Sequence, residues 1–159
     1  MTVQAQVAMP RRRAGHTTAV TIGGEQFCLT ANAAADGRLG EVFIHWGKHG
    51  SGTAGLMDLY ASALSTALRH RVPLADLVRS GLGQRFAPDG PTDDPDIPQV
   101  GSVADYVARR LAIDWLPREE RASLGVYTRA ERLGLASPWP PGSGIPAALV
   151  KQRADVVGV

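Results

Sequence analysis

One cysteine, Cys28, stands in a chain of 159 residues. A lone thiol cannot close an internal disulfide, so a disulfide framework is excluded and a reducing compartment is expected. Long apolar runs are missing as well: no stretch approaches the roughly 20 residues needed to span a bilayer. Charge of one sign is missing too. Seventeen Lys and Arg face fifteen Asp and Glu, a net charge of +2, with a pI near 9.0. That balance alone is too weak to imply nucleic acid, and only three phenylalanines are present to stack bases. The opening residues MTVQAQVAMPRRRAG place their arginines after a weakly apolar stretch, the reverse of a secretory signal. The expectation is a soluble cytoplasmic protein.

What is present suggests one domain, at a size where folding can bury about 70% of the extended chain's surface. Residues 1–15 read as a flexible basic arm ending in Arg11, Arg12 and Arg13. Residues 16–135 read as the folded domain, and residues 136–159 as a Pro/Gly linker and tail. Within the domain, Thr18, Val20 and Ile22 alternate with Thr17, Ala19 and Thr21, and Gly23-Gly24 can make a tight hairpin turn. Phe27, Leu29 and Ala31 share one side of a second strand. Asp36-Gly37 marks another turn before a third strand, Leu39 to Trp46. Helices must cover such a sheet. Thr53 to His70 carries Leu56, Tyr60, Ala63, Leu64, Ala67 and Leu68 at offsets of three and four, an apolar stripe. A shorter helix follows Pro73 and is stopped by Gly81 and Gly83. The four prolines of Pro88 to Pro98 forbid regular structure there. Ser102 with Asp105, and Thr128 with Glu131, have capping-box spacing. The fold class is α+β: an antiparallel meander of about three strands packed against helices.

The turn after the third strand, Gly50-Ser51-Gly52-Thr53-Ala54-Gly55, fits G-x-G-x-x-G. A dinucleotide site is disfavoured because the preceding strands form a meander and no acidic residue ends a second parallel strand. Lys for a Walker loop is absent. A plainer reading survives: Lys48, His49, Gly50, Ser51, Gly52 and Thr53 decorate a helix N-terminus that can take a phosphate or nucleotide, or that is simply capped by Ser51 or Thr53. His16, His45, His49 and His70 lack structural zinc spacing. Asp93, Asp94 and Asp96 lack the glycine and glutamate of a calcium loop. No metal site and no nucleophilic triad are expected. Cys28 reads as a small buried apolar residue. The basic residues carry no recognised nucleic-acid motif, although Arg11, Arg12 and Arg13 leave weak, salt-sensitive phosphate attraction open.

Several blocks in order carry a more specific signal: EVFI (Glu41 to Ile44), GKHGS (Gly47 to Ser51), ALRHRVPL (Ala67 to Leu74), PTDDPDIP (Pro91 to Pro98), SVADYVARRLAIDWL (Ser102 to Leu116) and RASLGVYTRAER (Arg121 to Arg132). From about Thr17 to Arg132 the chain resembles the TSCPD domain, the C-terminal accessory domain of vitamin B12-dependent (class II) ribonucleotide reductases. Such domains typically have cysteine after the Gly-Ser pair, where this chain has Gly52. The resemblance implies that cobalamin and substrate belong to a catalytic domain outside these residues. It also implies that the reaction needs a radical-initiating thiol and a thiol pair, more than Cys28 supplies. The expected role is a stand-alone, non-catalytic domain linked to deoxyribonucleotide supply and DNA synthesis. It binds a protein partner, a reductase or itself as a homo-oligomer, with a nucleotide or phosphate as a further ligand. Asp93, Asp94 and Asp96, with Arg109 and Arg110, are candidates for partner docking. Trp46, Trp115 and Trp139, or an exposed sheet face, are candidate apolar anchors. Two alternatives stand beside this: a basic nucleic-acid-associated regulator using the arginine arm, and an enzyme with unrecognised chemistry at Lys48, His49 and Asp58.

Overall fold

The computed structural model describes residues 5–47 and 50–134. Three strands, β1 (Gly15–Ile22), β2 (Glu25–Ala33) and β3 (Leu39–Trp46), pair antiparallel in the order β1-β2-β3. Gly23 and Gly24 turn the first hairpin with φ of 55° and 87°, conformations that side chains with a Cβ resist. The alternation expected from the sequence is present: Val20, Ile22, Phe27, Leu29, Ala31, Val42 and Ile44 are buried on one face. Cys28 lies on the other face, half-buried, with Ala19 and His45 as its cross-strand partners. It is not a core residue, because its neighbours Phe27 and Leu29 take the inward positions and strand side chains alternate. The β2–β3 register shifts between Asn32 and Ala33, leaving Gly40 as the extra residue of a bulge. A Cβ at Gly40 would come within 2.6 Å of Met9 Sδ and 2.7 Å of Ala34 Cβ, so glycine admits the N-terminal segment at this point.

That segment makes specific contacts. Val7 N donates to Arg69 O, Ala35 N to Ala8 O and Ala33 N to Ala14 O. Arg13 pairs with Glu41 at 2.6 Å. Residues 5–14 of the expected arm are thus tied to the sheet and to the first helix by backbone bonds that composition does not reveal.

The helices cover the buried face. Helix α1 (Gly52–Arg69) is followed by α2 (Leu74–Gly81) and, after the proline-rich stretch, by α3 (Val103–Trp115), α4 (Arg118–Ser123) and α5 (Arg129–Arg132). Helix α1 buries Met57, Ala61, Leu64 and Leu68. The expected stripe shares Leu64 and Leu68 with this set. Leu56, 63% exposed, and Ala63, also exposed, turn to the outside. The proline-rich stretch is also more ordered than expected. Gly90–Pro91 (β4) and Gln99–Val100 (β5) form a two-residue ladder, and Thr92 bridges to Ile22 of β1. Helix α3 is the central element, burying Val103, Tyr106, Val107, Ala108, Leu111 and Ala112. Gly81 lets α2 approach it closely: a Cβ there would lie 2.9 Å from Ala108 Cβ.

Candidate functional site

The turn between β3 and α1 is built for reversal. Gly47 and Gly50 hold φ of 73° and 82°. Ser51 Oγ then accepts from Ala54 N at 3.2 Å, satisfying one of the donors that a helix start leaves open. Gly52 opens α1, and a Cβ there would meet nothing within 4 Å. Lys48 and His49 lie outside the described residues. Of the residues expected to hold an anion, Gly50, Ser51, Gly52 and Thr53 are together at the helix start. The Ser51 hydroxyl is engaged in capping. Asp58, proposed as part of an unrecognised catalytic site, is exposed on α1.

The acidic stretch has a different use from the one its composition suggests. Asp93 Oδ1 accepts from Thr21 N at 2.8 Å, and this bond holds its carboxyl below the usual aspartate range. Asp94 is buried, 9% exposed. Its Oδ2 accepts from Tyr106 Oη at 2.7 Å and from Arg110 Nη1 at 3.2 Å. Asp96 accepts from Arg129 N at 2.9 Å and lies 3.6 Å from Arg110. Arg110 also donates to both oxygens of Asp114, at 2.6 and 3.0 Å. Asp114 in turn accepts from His16 Nε2 at 2.8 Å. Arg109 pairs with Asp105 at 3.0 Å. The five residues considered for partner docking therefore bond within the chain. A buried carboxylate needs such partners, and Asp94 has them, while Asp93 stays exposed and Asp96 half-buried.

Electrostatics follow from that packing. Burial disfavours the charge of Arg110, yet Asp114 and Asp94 more than offset it and strengthen its basicity. Burial likewise opposes ionisation of Asp114, but His16 and Arg110 hold its carboxyl below the ordinary range. Burial and the bond to Asp94 raise the Tyr106 hydroxyl. The His16–Asp114 contact joins residues 98 apart, beyond any spacing rule. Its only sequence signal was a histidine near the start of an otherwise uncharged strand and an aspartate in the last turn of a helix.

Other expected anchors are also engaged inside. Trp46 packs tilted against Phe27, with ring centres 4.9 Å apart, and donates to Glu25 at 2.6 Å. Trp115 packs against the core and stacks on His16. Trp139 lies outside the described residues. Arg11 and Arg12 are exposed, while Arg13 is tied to Glu41. Among the described residues no three of His, Cys, Asp and Glu gather as a metal site, and no helix is long and apolar enough to cross a membrane.

The family model for the TSCPD domain matches residues 2–114. This chain belongs to the TSCPD domain family. The match takes in the sheet, α1, α2 and nearly all of α3, so the buried Asp94–Arg110–Asp114 cluster lies within the TSCPD domain. Over 124 residues the chain is 45% identical to the vitamin B12-dependent ribonucleotide reductases of Streptomyces avermitilis and Streptomyces coelicolor, covering 78% of this chain and 13% of each relative. The vitamin B12-dependent ribonucleotide reductase of Agrobacterium fabrum is 36% identical over 115 residues, covering 72% of this chain and 9% of the relative. The TSCPD chain thus spans a small part of the curated relatives it matches. No solved structure matches it.

Proposed function

We propose that this TSCPD domain acts by binding and not by turnover. It serves deoxyribonucleotide supply through a protein partner, either a ribonucleotide reductase or a second copy of itself. The observation that carries this reading is the face that α1 leaves exposed among the described residues. Leu56 and Leu59 are 63% and 67% exposed. With Ala63 and Thr66 they recur at offsets of three and four, the spacing of a helix–helix seam. The positions on this face, 52, 55, 56, 59, 62, 63 and 66, carry no charge. A row of uncharged, apolar and small side chains is the kind of surface that a partner covers.

The thiol inventory supports the same reading. Ribonucleotide reduction needs several sulfurs, and this chain offers Cys28 on the outer sheet face. Gly52 occupies the family's cysteine position with open space around it, so crowding does not impose glycine there. A phosphate or nucleotide is a further ligand of this reading, taken at Lys48 to Thr53, where the positive end of α1 favours an anion. Cobalamin, named in the relatives, is assigned to their other residues.

Light scattering during size exclusion tests the proposal, with the chain alone and with a B12-dependent ribonucleotide reductase added. The expected result is a mass above one chain in at least one of the two samples. The double variant Leu56→Asp, Leu59→Asp should abolish it, with folding stability changed by less than about 1 kcal/mol because both side chains are exposed. A single-chain mass in both samples contradicts the proposal.

A further inference from the structure

A cavity of about 460 Å³ opens where four segments meet: the N-terminal stretch at Val7, the β2–β3 turn, the α1–α2 connection and the C-terminal end of α3. Its volume falls within the range of small-molecule sites. Leu39, Leu68 and the Trp115 indole form an apolar wall, and two arginines, Arg38 and Arg71, line it from facing segments.

Arg71 marks the cavity as more than a packing gap. It is the one non-glycine residue with positive φ, 63°, among the described residues. Helix α1 ends in a Schellman turn, with Val72 N donating to Ala67 O and Arg71 N to Leu68 O, both at 3.0 Å. Arg71 holds the left-handed position of that turn, where glycine fits without strain. The chain keeps an arginine there, and ordinary contacts do not account for it. The side chain is 48% exposed and its carboxylate neighbour, Asp36, stands at 4.0 Å. Asp36 is already engaged by Arg38 N at 3.1 Å. Among the described residues the Arg38 guanidinium has no carboxylate within 4.0 Å. Backbone strain retained beside a cavity points to a use for the side chain that is strained.

We propose that this cavity binds a flat organic anion, with its ring against Trp115 and the aliphatic wall and its phosphate or carboxylate on Arg38 and Arg71. The site is separate from the α1 face and from the Gly47–Thr53 turn, and it stands whether or not the chain has a protein partner. Asp36 and Glu120 also line the cavity and would accept from hydroxyl or amino groups of such a ligand.

Isothermal titration of the full chain tests this with adenosine monophosphate and indole-3-acetate, which join a ring to a phosphate and to a carboxylate. Adenosine and inorganic phosphate serve as the separated halves. The expected result is that at least one ring–anion probe binds and that its separated halves, where tested, bind more weakly. Binding of the first probe alone assigns a phosphate ligand, and of the second alone a carboxylate. Arg71→Gly and Arg38→Gln should each weaken it by about tenfold, the effect of one charge-assisted contact. Arg79→Gln, an exposed arginine of α2 outside the cavity lining, should leave it unchanged. Arg71→Gly relieves the strained φ, so its thermal midpoint should hold or rise, which separates lost binding from lost fold. The proposal is overturned if neither probe binds more tightly than about 1 mM. It is also overturned if both arginine variants bind as the parent does, if Arg79→Gln abolishes binding, or if adenosine monophosphate binds and inorganic phosphate binds as tightly.

Discussion

Arg110 shows how much one side chain settles. Its guanidinium joins Asp94, Asp96 and Asp114, and so ties the proline-rich stretch to α3. Arg121 does the same job further along. It is 6% exposed and donates to Glu131 Oε1 at 2.7 Å, while Thr128 and Glu131 close a full capping box. The capping residues were legible in the sequence, because Thr128-x-x-Glu131 states its own geometry. The buried role of Asp94 was not, since an aspartate among prolines looks the same whether it faces water or Tyr106. Arg121 holds the Glu131 carboxyl down to about 2 from its ordinary 4.5. A depressed carboxylate contributes stability that is present above its unfolded pKa and is lost as pH falls through the folded one. Glu131→Gln should therefore destabilise the domain at pH 7 by about 3 kcal/mol, since it leaves a buried arginine without its carboxylate. The gap between variant and parent should close as pH falls from about 5 to about 2. Chemical denaturation across that range checks it; a gap that stays constant with pH would contradict the assignment.

At the scale of elements, α1 carries two apolar stripes. One runs through Met57, Ala61, Leu64 and Leu68, and the other through Leu56, Leu59 and Ala63. Periodicity cannot choose between them, so the expected stripe mixed the two. What fixes the rotation is polar. Ser65 Oγ accepts from Val42 N at 2.9 Å and donates to Val42 O at 3.1 Å. Strand β3 lies at the sheet edge, where free N–H and C=O groups invite another strand. The helix blocks that edge with a hydroxyl. The other edge strand, β1, is met by the proline-rich stretch, through Asp93 to Thr21 N and Gly23 N to Pro91 O at 3.1 Å. Ser65→Ala should cost about 1–2 kcal/mol, because two backbone groups lose their partner and the gain in helix propensity recovers only a few tenths. Urea unfolding measures this; an unchanged midpoint would mean that Ser65 does not hold the edge.

For the molecule as a whole, the α+β class and the order of the strands were readable from alternation and from the Gly23-Gly24 turn. The Glu41–Ile44 and Ser102–Leu116 blocks made the family readable. The docking of residues 5–14 was not, because it rests on main-chain bonds at Val7, Ala8 and Ala14 that no side chain announces. Cys28 was legible in strand phase, since Phe27 and Leu29 take the inward positions, but its residue type pointed to the core. The resulting domain has a hydrophobic core, an exposed apolar face on α1, and a single thiol on the outer face of the sheet. Hydrogen–deuterium exchange across the chain tests its binding role most directly, at rising concentration and with a B12-dependent ribonucleotide reductase added. Slowed exchange along residues 52–66 of α1, with the amides of β2 unchanged, is the predicted result. Exchange that is unaltered at α1 under both conditions would contradict it.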